Sequence, residues 1–266
     1  MSGVILCDET FGQSLSDGRP FPQACHELGI LPGIKVDTGT RPLPRQGGAL
    51  ITEGLDGLGD RLAAYAEAGA AFAKWRAVID VTTTTPYAQR VNASALARYA
   101  ALCQEHGIVP IVEPEVLAAG AHDLATCARV TREVLEILFA ELADARVDLS
   151  GIVLKPNFVT PGLAGPHVSA SSVGAVTFDI LRRTVPNEVP GIAFLSGGHS
   201  TRDACAYLEA VNAVAGAPWE LTFSFGRALV SPALAAWAGQ PAHVTQAQRI
   251  LVAACAQAGA STARAA

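Results

Sequence analysis

Lysine is scarce in this chain and selectively placed. There are three lysines, Lys35, Lys74 and Lys155, against sixteen arginines. A coding bias toward arginine accounts for the ratio, but not for where the remaining lysines sit. All three fall at or near the ends of short apolar runs: Gly33-Ile34-Lys35, Ala71-Phe72-Ala73-Lys74 and Ile152-Val153-Leu154-Lys155. Arginine keeps its charge, whereas lysine can lose its proton near neutral pH, attack a carbonyl and form an imine. Lys155, fixed by the following Pro156, is the candidate nucleophile.

Two glutamates stand in Val112-Glu113-Pro114-Glu115. On a strand, a spacing of two points both carboxylates to one side. Two close carboxylates rarely both stay ionised, which suits one to proton transfer while the other keeps its charge. Lys74-Trp75-Arg76 repeats the spacing with two cations. Such a pair binds a phosphate, disfavours a protonated amine at Lys155 if the fold brings them near, or simply makes structural salt bridges; the sequence leaves these readings open. Ser196-Gly197-Gly198 and Ser224-Phe225-Gly226-Arg227 each end an apolar run with glycine before a helical stretch, exposing backbone N–H groups where a helix N-terminus favours anions. With Arg227 alongside, they read as a phosphate cradle.

These residues need elements to hold them. Strand-like runs begin at Gly3 to Leu6, Gly33 to Val36, Ala71 to Arg76, Ile108 to Glu113, Ile152 to Lys155, Gly191 to Leu195 and Glu220 to Ser224. Helices alternate with them: Gln23 to Leu28, Leu55 to Ala68, one capped by Asn92 or Ser94 and ending at His106, Asp123 to Ala143, Ser171 to Thr184, Arg202 to Val214, and two at the C-terminal end. Thr38 to Thr52 reads as a loop. Because the polar residues gather at the C-terminal ends of successive strands, the alternation predicts a TIM (β/α)8-type barrel, whose chemistry sits at that face, rather than an open doubly wound sheet. Only seven of the eight strands can be counted. A single domain over residues 1–266 is expected.

Composition narrows the partners. The formal net charge is −5 and only 16% of residues are charged, which argues against a nucleic-acid face or a basic membrane patch. The two long uncharged stretches are broken by glycine and proline and do not read as membrane spans. Six cysteines form no CxxC pair and no signal-peptide pattern opens the chain, so a reduced cytosol fits. The six histidines lack metal-ligand spacing, and no Walker loop or G-x-G-x-x-G appears, so neither metal nor cofactor is expected.

Taken together, Asp17 to Gln23, Gly33 to Asp37, Glu53 to Leu58, Phe72 to Arg76, Ile108 to Glu115, Leu154 to Asn157, Leu195 to Gly198 and Phe223 to Leu229 resemble, in order, the pattern of class I fructose-bisphosphate aldolase, the Schiff-base type. The resemblance covers nearly the whole chain. It implies reversible cleavage of fructose 1,6-bisphosphate to dihydroxyacetone phosphate and glyceraldehyde 3-phosphate, without metal. Lys155 would form the imine, Glu113 would shuttle protons, and Glu115 and Lys74 would support them. Lys35 and Arg76 would hold one phosphate; Ser196, Gly197, Gly226 and Arg227, with Ser224 beside them, the other. A homotetramer is implied as well.

The resemblance also implies departures. Family members carry a further helix and strand before the segment matching Gly3 to Thr10, and that strand supplies an aspartate near the imine. Asp8 belongs to the next strand of the pattern. The family's tyrosine-ended C-terminal tail has no counterpart in Ala258 to Ala266. An N-terminally shortened barrel is therefore expected, and the DNA upstream of Met1 separates a late start from a true truncation. Two rival readings stay open: a catalytically impaired or scaffolding chain that binds phosphorylated sugars, and another Schiff-base aldolase on the same fold.

Overall fold

The computed structural model describes residues 1–263; Arg264 to Ala266, the end of the small-residue run, lie outside the described residues. In chain order the elements are β1 (Gly3–Leu6), α1 (Asp8–Phe11), α2 (Phe21–Glu27), β2 (Leu31–Lys35), β3 (Gly39–Pro42), β4 (Leu50–Glu53), α3 (Leu58–Glu67), β5 (Phe72–Ile79), α4 (Pro86–Glu105) and β6 (Val109–Val116). They continue with α5 (Leu124–Asp144), a 3-10 turn, β7 (Val153–Leu154), α6 (Ala170–Thr184), β8 (Gly191–Phe194), α7 (Thr201–Asn212), β9 (Glu220–Phe223), α8 (Arg227–Trp237) and α9 (Val244–Ala260). The strands of the β/α alternation number seven among the described residues, as the TIM-barrel reading expects.

The chain forms two compact units. The first holds Met1–Glu115, Glu133–Leu154 and Glu188–Pro190; the second holds Val116–Arg132, Lys155–Asn187 and the chain from Gly191 onward. In the first, strand order is β1-β2-β5-β6-β7. β1 pairs parallel with β2, β2 with β5 and β6 with β7. The strands are apolar on both faces, as parallel strands under helices must be. Ile34, Ala73, Trp75, Ala77 and Val112 are buried. The rings of Trp75 and Tyr99, the latter on α4, lie 5.7 Å apart.

Local signals set the helix ends. Thr85, not Asn92 or Ser94, caps α4, accepting from the Ala88 amide with Pro86 at the first helical position. The Thr cap and the Pro at N1 stabilise this start by about 1 kcal/mol. Asn92 is instead inside the helix and buried, its amide donating to the Leu50 carbonyl at 2.8 Å and its oxygen accepting from the Thr52 amide. That interaction accounts for a second difference: the stretch from Thr38 to Thr52 is not a plain loop, because β3 and β4 pair antiparallel there. Thr52 further donates to the Arg76 carbonyl at 2.8 Å. Gly107, at φ +68, ends α4 in a left-handed conformation that glycine adopts without strain.

In the second unit β8 and β9 pair parallel, Phe194 opposite Phe223. Ser169 caps α6 and Ser200 caps α7, each accepting a backbone N–H from three residues on. α6 and α7 approach closely through Gly174: a β-carbon there would lie 2.6 Å from the Ala210 carbonyl carbon. Backbone cannot yield as a side-chain tip can, so Gly174→Ala should lower stability by about 1–3 kcal/mol. The denaturant midpoint should fall with the slope unchanged.

Candidate functional site

In the first unit the period-two expectation holds for both pairs. The β2–β5 register sets Lys35 opposite Lys74. Lys74 Nζ lies 3.4 Å from Asp37 Oδ2 and 3.2 Å from Glu113 Oε2. Arg76 Nε pairs with Glu115 Oε2. Lys35 Nζ reaches Asp37 Oδ1 at 2.6 Å. Lys35 Nζ also donates to the Asp37 carbonyl. The side chains of Asp37, Lys74, Glu113 and Glu115 are each 8% exposed or less, while that of Lys35 is 40% exposed. Among the readings left open for Lys74 and Arg76, the salt bridges are therefore formed.

Asp37 closes the Gly33 to Asp37 motif, which assigns it no role of its own. It joins the cluster: besides the two lysines, it accepts from the backbone amides of Arg76 and Gly39 at 3.3 Å. Burial alone would raise its carboxyl, yet the charge of Lys74, the hydrogen bond and charge of Lys35 and the Arg76 amide outweigh it and hold the group below its ordinary value. The readable signal is the Lys35-Val36-Asp37 spacing, which sends a cation and an anion to one side. Burial likewise works against the charge of Arg76, but Glu115, Glu113 and Asp37 keep that guanidinium above its ordinary value.

Asp8, at the start of α1, accepts a hydrogen bond from the Tyr65 hydroxyl at 2.6 Å. It lines, with Lys35, Asp37, Arg61 and Arg98, a cavity of about 860 Å³ in the first unit.

The second unit gathers the other candidates. Lys155 follows β7 directly and is buried. The Leu195 amide donates to the Pro156 carbonyl at 3.0 Å, and the Ser224 amide to the Phe194 carbonyl at 2.9 Å. These two bonds set the segments ending in Lys155-Pro156, Ser196 and Ser224 side by side. Asn157 fastens the first of them. Its oxygen accepts from the Val116 amide at 3.1 Å and its nitrogen donates to Thr131 Oγ1 at 3.3 Å and to the Phe158 carbonyl at 3.0 Å. The Phe158 ring stacks on Phe194, centroids 4.5 Å apart. The Leu154 to Asn157 motif gives Asn157 no role, because its partners lie far away in sequence.

The two glycine turns differ. Gly197 and Gly198, at φ +58 and +92, form a left-handed turn closed by the His199 amide on the Ser196 carbonyl. This turn does not open a helix directly, since α7 starts two residues after His199 and one of its first N–H groups, that of Asp203, is engaged by Ser200. Any anion here meets the turn's own amides. Gly226 does open a helix: it is the N-cap of α8, no side chain caps it, and Arg227 is the first helical residue. The first-turn amides and the macrodipole favour an anion there. Thr160 Oγ1 and His199 Nε2 lie 3.2 Å apart, and burial holds the His199 imidazole below its ordinary value. Nothing in the sequence around either residue marks this pair.

The family of class I fructose-bisphosphate aldolases matches residues 1–265. The chain belongs to that family. It is 50% identical over 258 residues to the cytosolic fructose-bisphosphate aldolase 5 of Arabidopsis thaliana, covering 96% of this chain and 72% of that one. It is 49% identical to fructose-bisphosphate aldolase 2 of Caenorhabditis elegans over 95% of this chain and 70% of that one. Among solved structures, fructose-bisphosphate aldolase of Plasmodium falciparum, in complex with TRAP and a small-molecule inhibitor, superposes with a TM-score of 0.94 at 43% identity. The match covers 98% of this chain and 77% of that one. The likeness agrees with the TIM-barrel-type architecture and with the enzyme class, an aldehyde-lyase. Among the described residues no group of three or more His, Cys, Asp or Glu is arranged around a common metal position, and no helix is long and apolar enough to cross a membrane.

The aldolase cluster in the first unit makes a pH prediction. A carboxyl whose folded-state value is depressed stabilises the fold above its unfolded value and loses that contribution as pH falls. For Asp37 the loss begins as pH drops below about 3.8. Asp37→Asn should cost about 3 kcal/mol at neutral pH by leaving Lys74 undercompensated. It should also flatten the acid end of the stability curve that Asp37 supplies, as read from urea midpoints across pH.

Proposed function

We propose that this aldolase-family chain cleaves fructose 1,6-bisphosphate reversibly to dihydroxyacetone phosphate and glyceraldehyde 3-phosphate through an imine on Lys155. The observation that supports the reading is the pair of backbone bonds, Leu195 to Pro156 and Ser224 to Phe194, that sets a buried lysine beside the two glycine turns. An amine attacking C2 of a ketose phosphate needs its phosphate held at a fixed distance, and adjacent segments of one sheet supply that distance.

In this reading the Lys155 amine adds to the C2 carbonyl, and the carbinolamine loses water to give a protonated imine. Glu113, paired with Lys74, takes the proton from the C4 hydroxyl as the C3–C4 bond breaks. The bonding pair moves into the imine as an enamine, and the aldehyde leaves. The enamine is then protonated at C3 and hydrolysed. The protonated imine supplies the electron sink, so the step draws on this chain's own nitrogen. Ser196, Gly197, Ser224, Gly226 and Arg227 hold the phosphate of the dihydroxyacetone end, and Lys35 and Arg76 that of the aldehyde end. Glu115 and Lys74 support Glu113 electrostatically. The relatives' names favour a cytosolic enzyme, and the family favours a homotetramer.

Borohydride reduction in the presence of dihydroxyacetone phosphate should fix one equivalent on Lys155. Lys155→Arg should abolish that adduct, read by mass spectrometry of the peptide, and retention of the adduct would refute the assignment. Glu113→Gln should keep the trapped adduct detectable while lowering kcat by about 10²–10⁴-fold, the scale of losing a general acid–base group.

A further inference from the structure

Within the second unit, the loop after β6 and the loop after β7 are locked together by backbone hydrogen bonds outside the strands. The Gly162 amide donates to the His122 carbonyl at 2.9 Å, Leu163 to Ala118 at 2.7 Å and Ala164 to Gly120 at 2.9 Å. The lock depends on the absence of side chains. A β-carbon on Gly162 would lie 2.3 Å from the Gly120 carbonyl oxygen, and one on Gly165 would lie 2.6 Å from that of His122. Both obstacles are backbone, so neither can swing away. Gly162 is buried and its φ is not in the left-handed region; the constraint is space, not conformation.

The locked pair abuts the Ser196–Gly198 turn from two sides. Leu163 Cδ1 stands 3.6 Å from where a Gly198 β-carbon would be, and the Ala118 β-carbon 3.9 Å from that of Gly197. From the same strap, two residues before Gly162, Thr160 Oγ1 meets His199 Nε2 at 3.2 Å at the end of the turn. A turn of two glycines, both at positive φ, has wide conformational freedom of its own and requires outside contacts to keep its amides aimed.

We propose that Gly162 is a positioning residue for the phosphate-binding turn Ser196–Gly198: its missing side chain lets the strap 160–165 close on loop 118–122, and the closed strap holds the turn's amides toward the ketose phosphate. This rests on the assignment of that turn to the dihydroxyacetone phosphate end. Gly162 touches no substrate and acts through the turn.

The test measures dihydroxyacetone phosphate binding by titration calorimetry in the full chain, Gly162→Ala and Gly174→Ala, the last another glycine with backbone inside 3 Å of an added β-carbon, lodged between α6 and α7. The dissociation constant should rise about tenfold in Gly162→Ala, the scale of losing one hydrogen bond to a charged group, and stay within about twofold in Gly174→Ala. Borohydride trapping of dihydroxyacetone, which lacks the phosphate, should be equal in all three. An unchanged constant in folded Gly162→Ala, or an equal rise in Gly174→Ala, overturns the proposal. Should Gly162→Ala not fold, Leu163→Ala decides: this residue is 58% exposed and its truncation leaves the backbone lock intact. Weakened binding then supports the strap and unchanged binding overturns it. A chain that binds dihydroxyacetone phosphate without any adduct on Lys155 removes the imine reading, while the comparison of binding constants still decides the role of Gly162.

Discussion

Lys74 is the charge around which the first unit is arranged. An ammonium with its side chain 8% exposed is tolerated only where carboxylates and hydrogen bonds replace the water it has lost. Asp37 and Glu113 do so, and each must come from a neighbouring strand end, at the same height and on the same side as Lys74. Parallel strands in register provide that geometry, because a spacing of two returns side chains to one face. The register of β2 on β5 is therefore constrained by electrostatics as well as by packing. Slipping it by one residue would turn Lys35 and Asp37 to the opposite face and leave Lys74 short of a partner.

The second unit is organised by hydrogen bonds. Lys155 follows a strand of only two residues, which by itself fixes little. Its position is secured by what comes next. Pro156 gives its carbonyl to Leu195, and the Asn157 amide engages Val116, Thr131 and Phe158. A buried asparagine with donors and acceptor all engaged is a rigid bracket, since freeing any of these groups costs about 1–3 kcal/mol. The bracket explains why the lysine is followed by Pro-Asn and not by continued strand: the proline stops the ladder and the asparagine replaces it.

Much of this is legible in the sequence, and for a physical reason. Strand-end residues act in short local patterns, so Lys74-Trp75-Arg76 and Glu113-Pro114-Glu115 announce their shared faces within three residues. The alternation that implies a barrel is also local, repeated seven times. What is not legible depends on partners distant in sequence. Asn92 looks like a cap because asparagine favours helix ends, whereas its amide serves strand β4, some forty residues earlier. The same contact turns a stretch rich in glycine and proline into a hairpin. Thr160 with His199, and Gly162 against Gly120, are likewise invisible until the chain is folded, since neither residue type nor spacing marks them.

Charge counting separates the roles left open for the cations. At the strand ends of the first unit Lys35, Lys74 and Arg76 face Asp37, Glu113 and Glu115, three against three, and every one is engaged. Lys74 is too buried to leave its carboxylates for a phosphate. Lys35 is different: its side chain is 40% exposed and its partner Asp37 keeps Lys74 when Lys35 moves. In the proposed reading a phosphate arriving at that end would compete with Asp37 for Lys35, an exchange that leaves no buried charge bare. At the Gly226–Arg227 helix start, by contrast, the attraction comes from amides and a dipole already in place. The two candidate anion sites thus rest on different physics, Lys35 as a cation that changes partner and the Gly226–Arg227 start as a preformed cradle. Salt should weaken the first more than the second, because exposed point charges are screened while oriented amides at close range are not.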